Sequence, residues 1–157
     1  MEEDAVIIIS GYEVIISACD VERVKAHKWH KQFYSNYDGK YFACTMPGNK
    51  VMKLHRFIMN CPSGMYVDHI NCNTLDNRRS NLRICTNAEN GRNRRKNSNS
   101  TSGYKGVYWK KQYSKWTALI CVNGKSIFLG YFDTPEKAYE AYVAASKKYH
   151  GEFGRIA

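Results

Sequence analysis

No two cysteines in this chain stand in a Cys-x-x-Cys pair, although there are six of them: Cys19, Cys44, Cys61, Cys72, Cys85 and Cys121. That absence excludes the zinc ribbons and fingers whose tetrahedral sites are built from such pairs. With no secretory context the six read as reduced thiols, buried or incidental, and not as a disulfide framework. Also lacking is an apolar run long enough to cross a bilayer, or a basic amphipathic helix to lie on one, so no membrane partner is expected. The start Glu2-Glu3-Asp4 carries the wrong charge for a secretory leader, which implies an intracellular protein that is not secreted. Acidic residues are scarce as well: 14 Asp and Glu stand against 24 Lys and Arg, a formal net charge of +10 over 157 residues.

The imbalance is not uniform. Residues 1–46 carry five Lys and Arg against seven Asp and Glu, residues 47–97 ten against three, and residues 98–157 nine against four. A basic excess that begins one third of the way along implies a polyanionic partner, nucleic acid above all. The length allows one domain or two small ones, each with its own core.

Chemistry concentrates between Tyr66 and Lys96. Tyr66-Val67-Asp68-His69-Ile70 reads as a strand, Asn71 to Ser80 as a polar loop, and Asn81-Leu82-Arg83-Ile84-Cys85 as a second strand with Leu82 and Ile84 alternating. Thr86 and Glu89 have capping-box spacing for a helix that follows. That helix is weak by propensity, with Gly91 and several Asn. It nevertheless sets Asn87, Asn90 and Arg94 on one face, a pattern that suits a site better than it suits stability. Asp68 and His69 are neighbours on a strand and therefore point to opposite faces. A carboxylate and an Asn amide oxygen are hard ligands suited to one Mg2+ or Mn2+ with positions left for phosphate and water. A neutral imidazole at His69 suits proton abstraction from water near neutral pH.

These residues, Asp68-His69, Asn81 and Asn90 with Asn-Arg-Arg-Ser-Asn-Leu-Arg between, closely resemble the motif of HNH nucleases in its His-Asn-Asn form. The likeness extends from about Asp20 to Lys96. It implies His69 as general base, Asp68 and Asn90 as metal ligands, and Asn81 as the residue that ties the strands and orients His69. Asn90 replaces the second His of the name-giving pattern, which disfavours zinc and implies weaker, exchangeable metal binding. Arg78, Arg79, Arg83, Arg92, Arg94 and Arg95 are then expected phosphate clamps, about half of them in contact with DNA and the rest solvated.

Ahead of the motif, Val6–Ser10 and Glu13–Ser17 read as a hairpin turning at Gly11-Tyr12, and Asp20 caps a helix from Val21 to Trp29. Strands are expected near Tyr41–Thr45 and Lys50–Leu54, with a helix over Lys53–Met59. This half is read as a small β-rich scaffold. His27, His30 and His55 read as ordinary surface or core histidines, with His55 near enough in sequence to the motif to reach a phosphate. A trio of His27, His30 and Cys44 lacks a recognised metal spacing.

Residues 97–102, Asn-Ser-Asn-Ser-Thr-Ser, read as a polar linker, and with Arg92, Arg94, Arg95 and Lys96 as an arm for a DNA groove. Beyond it the chain shows strands over Gly103–Trp109, Lys115–Val122 and Ser126–Phe132, with an Asn123-Gly124 hairpin turn. A helix starts at Thr134-Pro135-Glu136, buries Ala138, Ala141, Tyr142, Ala145 and Tyr149, and ends at Gly151. The segments YKGVYW, KWTALI and FLGYFDTPEKAYEAY resemble the Apetala/ethylene-response-factor type of DNA-binding domain. That resemblance implies contacts from Lys105, Tyr108, Lys110, Lys115 and Trp116. For Trp109, Trp116 and Phe128 the ordinary expectation is a place in the small domain's core. Lys or Tyr stands where family arginines do, which favours phosphate affinity over guanine reading.

The reading is thus α+β: an HNH domain over 1–96 with its ββα-metal core at 66–96, a linker at 97–102, and a three-stranded antiparallel sheet plus helix over 103–157. It implies a homing-type DNA endonuclease of a phage or mobile element, acting on double-stranded DNA in the host cytoplasm or nucleoid, with no obligate protein partner. The rivals are a non-catalytic DNA-binding regulator and a nonspecific degradative nuclease.

Overall fold

The computed structural model describes residues 3–33, 40–94 and 100–156. Arg95, Lys96 and residues 97–99 of the expected linker lie outside them. The chain divides into two units, residues 1–87 and 88–157.

In the first unit, β1 (Asp4–Ile9) and β2 (Tyr12–Ser17) pair antiparallel with Ile9 opposite Tyr12. The turn is therefore Ser10-Gly11 and not Gly11-Tyr12. Both residues have positive φ (51° and 79°), the type I′ geometry whose twist matches the strands. A single 3-10 turn at Ala18–Asp20 leads into α1 (Val21–Lys25), which stops four residues short of Trp29. The reason is local: the carbonyl of Val24 accepts from Trp29 Nε1 at 2.7 Å and from the His27 amide, so the chain folds back under the helix end.

A meander follows, β3 (His30–Phe33), β4 (Lys40–Met46) and β5 (Lys50–Lys53), of which β3 had no clear signal in the sequence. After α2 (Leu54–Ile58) come β6 (Tyr66–His69), a two-residue β7 (Asp76–Asn77) and β8 (Leu82–Cys85). β6 and β8 pair antiparallel, while β7 adds parallel to β2 with Ile15 opposite Asp76. One core holds Val14, Ile16, Phe42, Leu54, Ile58, Val67 and Leu82. Because Val67 and Leu82 belong to that cluster, the β6–β8 pair is fixed to the scaffold by apolar burial, the largest favourable term in folding.

The second unit contains α3 (Asn87–Arg92) from Ala88 onward, β9 (Val107–Lys110), β10 (Lys115–Val122), β11 (Lys125–Phe132) and α4 (Pro135–His150). The sheet order is β11-β10-β9, all antiparallel. α3 buries none of its residues, in keeping with its weak propensity, and its end is tied down by Lys105, whose Nζ donates to the carbonyls of Arg92 (2.6 Å) and Arg94 (2.9 Å). Thr134 caps α4 through the Lys137 amide, and Ala138, Tyr142 and Ala145 meet the sheet. Tyr149 faces outward; His150 is buried in its stead and its Nε2 donates to the Cys121 carbonyl at 2.9 Å.

β9 begins only at Val107, not at Gly103, since Gly103 and Gly106 both have φ near +74° and break the strand. A Cβ on Gly106 would lie 2.3 Å from the Tyr142 ring and 2.7 Å from the Leu119 carbonyl. Gly106→Ala is therefore expected to unfold the second unit first. The loss should be about 3 kcal/mol or more, from overpacking added to left-handed strain. Thermal melting followed by Trp fluorescence would read it, and a melt unchanged from wild type would refute the close approach.

Candidate active site

The loop between β6 and β8 determines the site. Residues 70–81, mostly polar, fold on themselves because Asn and Asp side chains substitute for missing ladder partners. Asn71 Oδ1 accepts from the Asn73 amide at 2.8 Å, and Asn73 Oδ1 from the Leu75 amide at 3.1 Å. Asn81, buried, accepts from the Asn71 amide at 3.0 Å and donates to Asn71 Oδ1 (3.0 Å) and to the Asp76 carbonyl (2.7 Å). Its own carbonyl accepts from the Ile70 amide at 2.9 Å. One amide side chain thus joins both ends of the loop.

Asp68 and His69 are 6 and 8 % exposed on β6. His69 Nε2 lies 3.2 Å from Asn77 Oδ1. The amide of Asn77 is oriented by its Nδ2, which donates to the Thr74 carbonyl at 3.0 Å, so an oxygen faces the ring. An oxygen partner there requires the proton on Nε2 and leaves the lone pair on Nδ1. His55, on α2, meets the same ring edge to face at 5.3 Å between centroids.

Burial lowers the pKa of His69, against smaller opposing effects of Asn77, Asp68 and Asp76. His55 is lowered to about 3 by burial first and by His69, Lys53 and Arg56 after it. Two imidazoles at this distance are both neutral at pH 7. Unfolded histidine titrates near 6.5, so the unfolded chain takes up protons that the folded one refuses. The contribution of His55 is complete above pH 6.5 and is lost as the pH falls from there toward 3, by up to about 1.4 kcal/mol per pH unit, and His69 acts in the same direction. Urea melts between pH 7.5 and 4 should show this decline, and His55→Phe should reduce its slope; an equal slope in the variant would exclude His55 as its source.

Of the arginines expected as phosphate clamps, Arg78, Arg79 and Arg83 each bind a carboxylate of the first unit. Arg83 stands opposite Asp68 across the β6–β8 ladder, and its Nε (3.0 Å) and Nη2 (2.8 Å) both donate to Asp68 Oδ2. Arg78 holds Asp76 through Nε (2.8 Å) and Nη2 (2.7 Å) and reaches Asp4 with Nη1 (2.9 Å). Arg78 lowers the pKa of the Asp76 carboxyl. Arg79 grips the buried Asp20 with Nε (2.7 Å) and Nη2 (2.8 Å) and caps the Ile58 carbonyl. These three side chains hold carboxylates of the scaffold.

In the second unit Arg92 is half-buried and Arg94 exposed, and Asn90 is half-buried on α3. Tyr108 and Lys110 stand exposed on β9, and Lys115 pairs with Asp133. Trp116 points the other way. It packs, half-buried, with Val107 and Ala118 beneath α4 and meets Trp109 edge to face at 5.1 Å.

Residues 60–92 match the family model described as HNH endonuclease, and residues 102–152 the one described as AP2 domain. Protein 3.8 of Escherichia phage T7 is 33% identical over 95 residues, which cover 60% of this chain and 78% of that protein. The chain belongs to the HNH endonuclease family. A protein named as an uncharacterized HNH endonuclease of Acanthamoeba polyphaga mimivirus is 36% identical over 108 residues, 65% of this chain and 55% of that one. No solved structure matches.

This HNH nuclease is α+β, and no helix among its described residues is long and apolar enough to cross a membrane. Its motif residues Asp68, His69 and Asn81 all lie in the first unit, on β6 and immediately before β8. Asn77, which holds the His69 ring, was missed by sequence reasoning. It is one of several Asn in a polar loop, and only the pairing of β7 with β2 distinguishes it. His55 had its nearness in sequence to the motif as its one signal.

Proposed function

We propose that the protein is a homing-type endonuclease that hydrolyses a phosphodiester of double-stranded DNA, with His69 as general base. The observation that carries this reading is the 3.2 Å contact of buried His69 Nε2 with the side-chain oxygen of Asn77. Asn77 Oδ1 accepts a hydrogen bond from Nε2, His55 adds no charge at neutral pH, and Nδ1 is the nitrogen that this reading makes the proton acceptor. A water aligned on Nδ1 loses its proton there as it attacks phosphorus, and such catalysis contributes about 10²–10⁴-fold. Asn81 acts one step away, by fixing the loop that carries Asn77.

HNH nucleases generally use a divalent metal. Among the described residues no three His, Cys, Asp or Glu side chains gather as a ligand cage. The donor set fits an ion that keeps most of its shell from phosphate and water, as Mg2+ or Mn2+ does with one carboxylate. Asp68 would supply that carboxylate, and Asn90 is the second ligand in this reading. When bound, the ion would offset charge on the reacting phosphate and the leaving oxygen. Arg83 holds the Asp68 carboxylate in place through two hydrogen bonds to Oδ2. The AP2 unit supplies affinity for the DNA, and the viral sources of both relatives favour a mobile-element nuclease over a host regulator.

The test is incubation with supercoiled and linear DNA, with Mg2+ or with EDTA. Nicked or linear product at preferred positions is expected with Mg2+ alone. Uncleaved DNA under every metal condition would overturn the reading, and digestion without preferred positions would leave only a degradative nuclease. Binding should fall by roughly a thousand-fold between low and moderate salt if about six phosphates are neutralised.

A further inference from the structure

Among the described three-stranded sheets, β1-β2-β7 has a long edge without a guard. The outer strands β3, β5, β9 and β11 each carry a lysine, a usual device that keeps an exposed ladder from pairing with another chain. β7 is only two residues long. β1, Asp-Ala-Val-Ile-Ile-Ile, has no Lys, Arg, Pro or bulge, and everything after Asp4 in it is apolar.

The hairpin register decides which groups that edge presents. The two-residue turn makes Ile9 and Tyr12 a hydrogen-bonded pair, so Ala5, Ile7 and Ile9 turn their amides and carbonyls toward β2. The Glu3 carbonyl keeps the same phase, accepting from the Ala18 amide at 2.9 Å. Asp4, Val6 and Ile8 therefore aim their N–H and C=O groups away from β2, where the described residues supply no strand to receive them. The alternation also packs Ala5, Ile7 and Ile9 on the core and leaves the side chains of Val6 and Ile8 60 and 66 % exposed. Open backbone groups and bare β-branched side chains thus coincide on one strand.

A groove of about 410 Å³ follows this strand, lined by β1 from Val6 to Ser10 and by Val24, Lys25, His27 and Trp29. Val24 and Trp29 make it apolar, and its lining holds Lys25 and His27 with no Asp or Glu. The acidic groups lie at the start of the strand, at Glu3 and Asp4. Glu3 and Lys25 are both exposed, and neither has an ion-pair partner among the described residues.

We propose that β1 is the interface of a symmetric dimer, in which β1 of a second copy adds antiparallel to the free edge. With Val6 facing Val6 across the two-fold axis, Asp4 stands opposite Ile8, and every outward N–H and C=O is received. The same register sets Glu3 opposite Ile9 of the other copy, at the groove that holds Lys25. A strand with acids at its start and a groove with bases along it are complementary only when the second strand runs antiparallel. The inference goes beyond the nuclease reading and stands without it, since it concerns the scaffold of the first unit; joined to that reading, it gives the assembly two His69 sites.

Sedimentation velocity of the full chain, from low to high micromolar protein, should show a monomer–dimer equilibrium, and the melting temperature should rise with concentration. Val6→Pro removes one outward amide and no bond to β2. Ile8→Lys adds the guard that other edges carry. Each should stay monomeric throughout, with the circular dichroism of wild type; if Val6→Pro fails to fold, Ile8→Lys decides alone. Lys25→Glu should weaken the dimer by roughly 2- to 10-fold, and Glu3→Lys added to it should restore the affinity. A monomeric wild type, a dimer that Ile8→Lys leaves intact, open-ended aggregates in place of a dimer, or association only in the presence of DNA would overturn the proposal. Plasmid cleavage by the same samples separates the two claims. A wild type that cleaves as a monomer defeats the dimer alone, and a dimer that cleaves nothing defeats the nuclease reading alone.

Discussion

His69→Ala is expected to abolish metal-dependent cleavage while DNA binding stays within about two-fold of wild type. The ring is buried and makes its hydrogen bond inward to Asn77, so its loss removes a proton acceptor and no phosphate contact. A loss of about 10²–10⁴-fold in the cleavage rate is the range for a positioned base, which in a plasmid assay reads as no product. Added imidazole should restore part of the rate, because the variant leaves a cavity of the right shape beside Asn77. Asn77→Ala should give an intermediate defect: the ring remains, but nothing holds the proton on Nε2, and a fraction of molecules present the wrong nitrogen. Equal loss of binding and cleavage in His69→Ala, with no imidazole rescue, would remove His69 from the catalytic role.

Arg79→Ala should damage the fold and spare the affinity for DNA. Asp20 is 1 % exposed, and Arg79 supplies two of the three guanidinium hydrogen bonds it accepts, the third coming from Arg23 at 2.9 Å. The same guanidinium serves the Ile58 carbonyl at the end of α2, while its backbone amide donates to Ser17 Oγ at 3.0 Å. One side chain therefore joins the segment after β2, the end of α2 and the approach to β8. Removing a partner from a buried carboxylate costs about 3–5 kcal/mol; Arg79 is one third exposed and Arg23 remains, so about 2–3 kcal/mol is the expected loss. For a unit of this size that lowers the melting temperature by roughly 8–20 °C. A variant with an unchanged melt and a shallower salt dependence of DNA binding would return Arg79 to the phosphate clamps.

Both results turn on a difference between what the motif implied and how the side chains are used. The run Asn77-Arg78-Arg79-Ser80-Asn81-Leu82-Arg83 reads as a basic patch, since charge in a sequence carries no information about partners. Asp20 and Asp4 lie more than fifty residues away, and only the folded scaffold brings them to Arg79 and Arg78. Asp68 and Arg83 were both legible, but their pairing required the register that sets them opposite one another on β6 and β8. The short helix and hairpin of the second unit were easier, because caps and Asn-Gly turns are local signals. The bulge at Leu129, where Ala118 pairs with Gly130 and Leu119 with Phe128, was not, because an inserted residue looks like ordinary alternation until its neighbour strand is known.

The amino-acid sequence by itself determined the α+β class, the motif carried by Asp68, His69, Asn81 and Asn90, and the basic, DNA-directed character of the chain. These depend on residue type, spacing and local turn chemistry, which act within a few residues. Only the tertiary structure decided which oxygen faces His69 Nε2, which arginines are already held by carboxylates, and which aromatic rings stand in water. Those outcomes depend on strand register and on contacts between distant segments, which come into being only when the chain closes on its core.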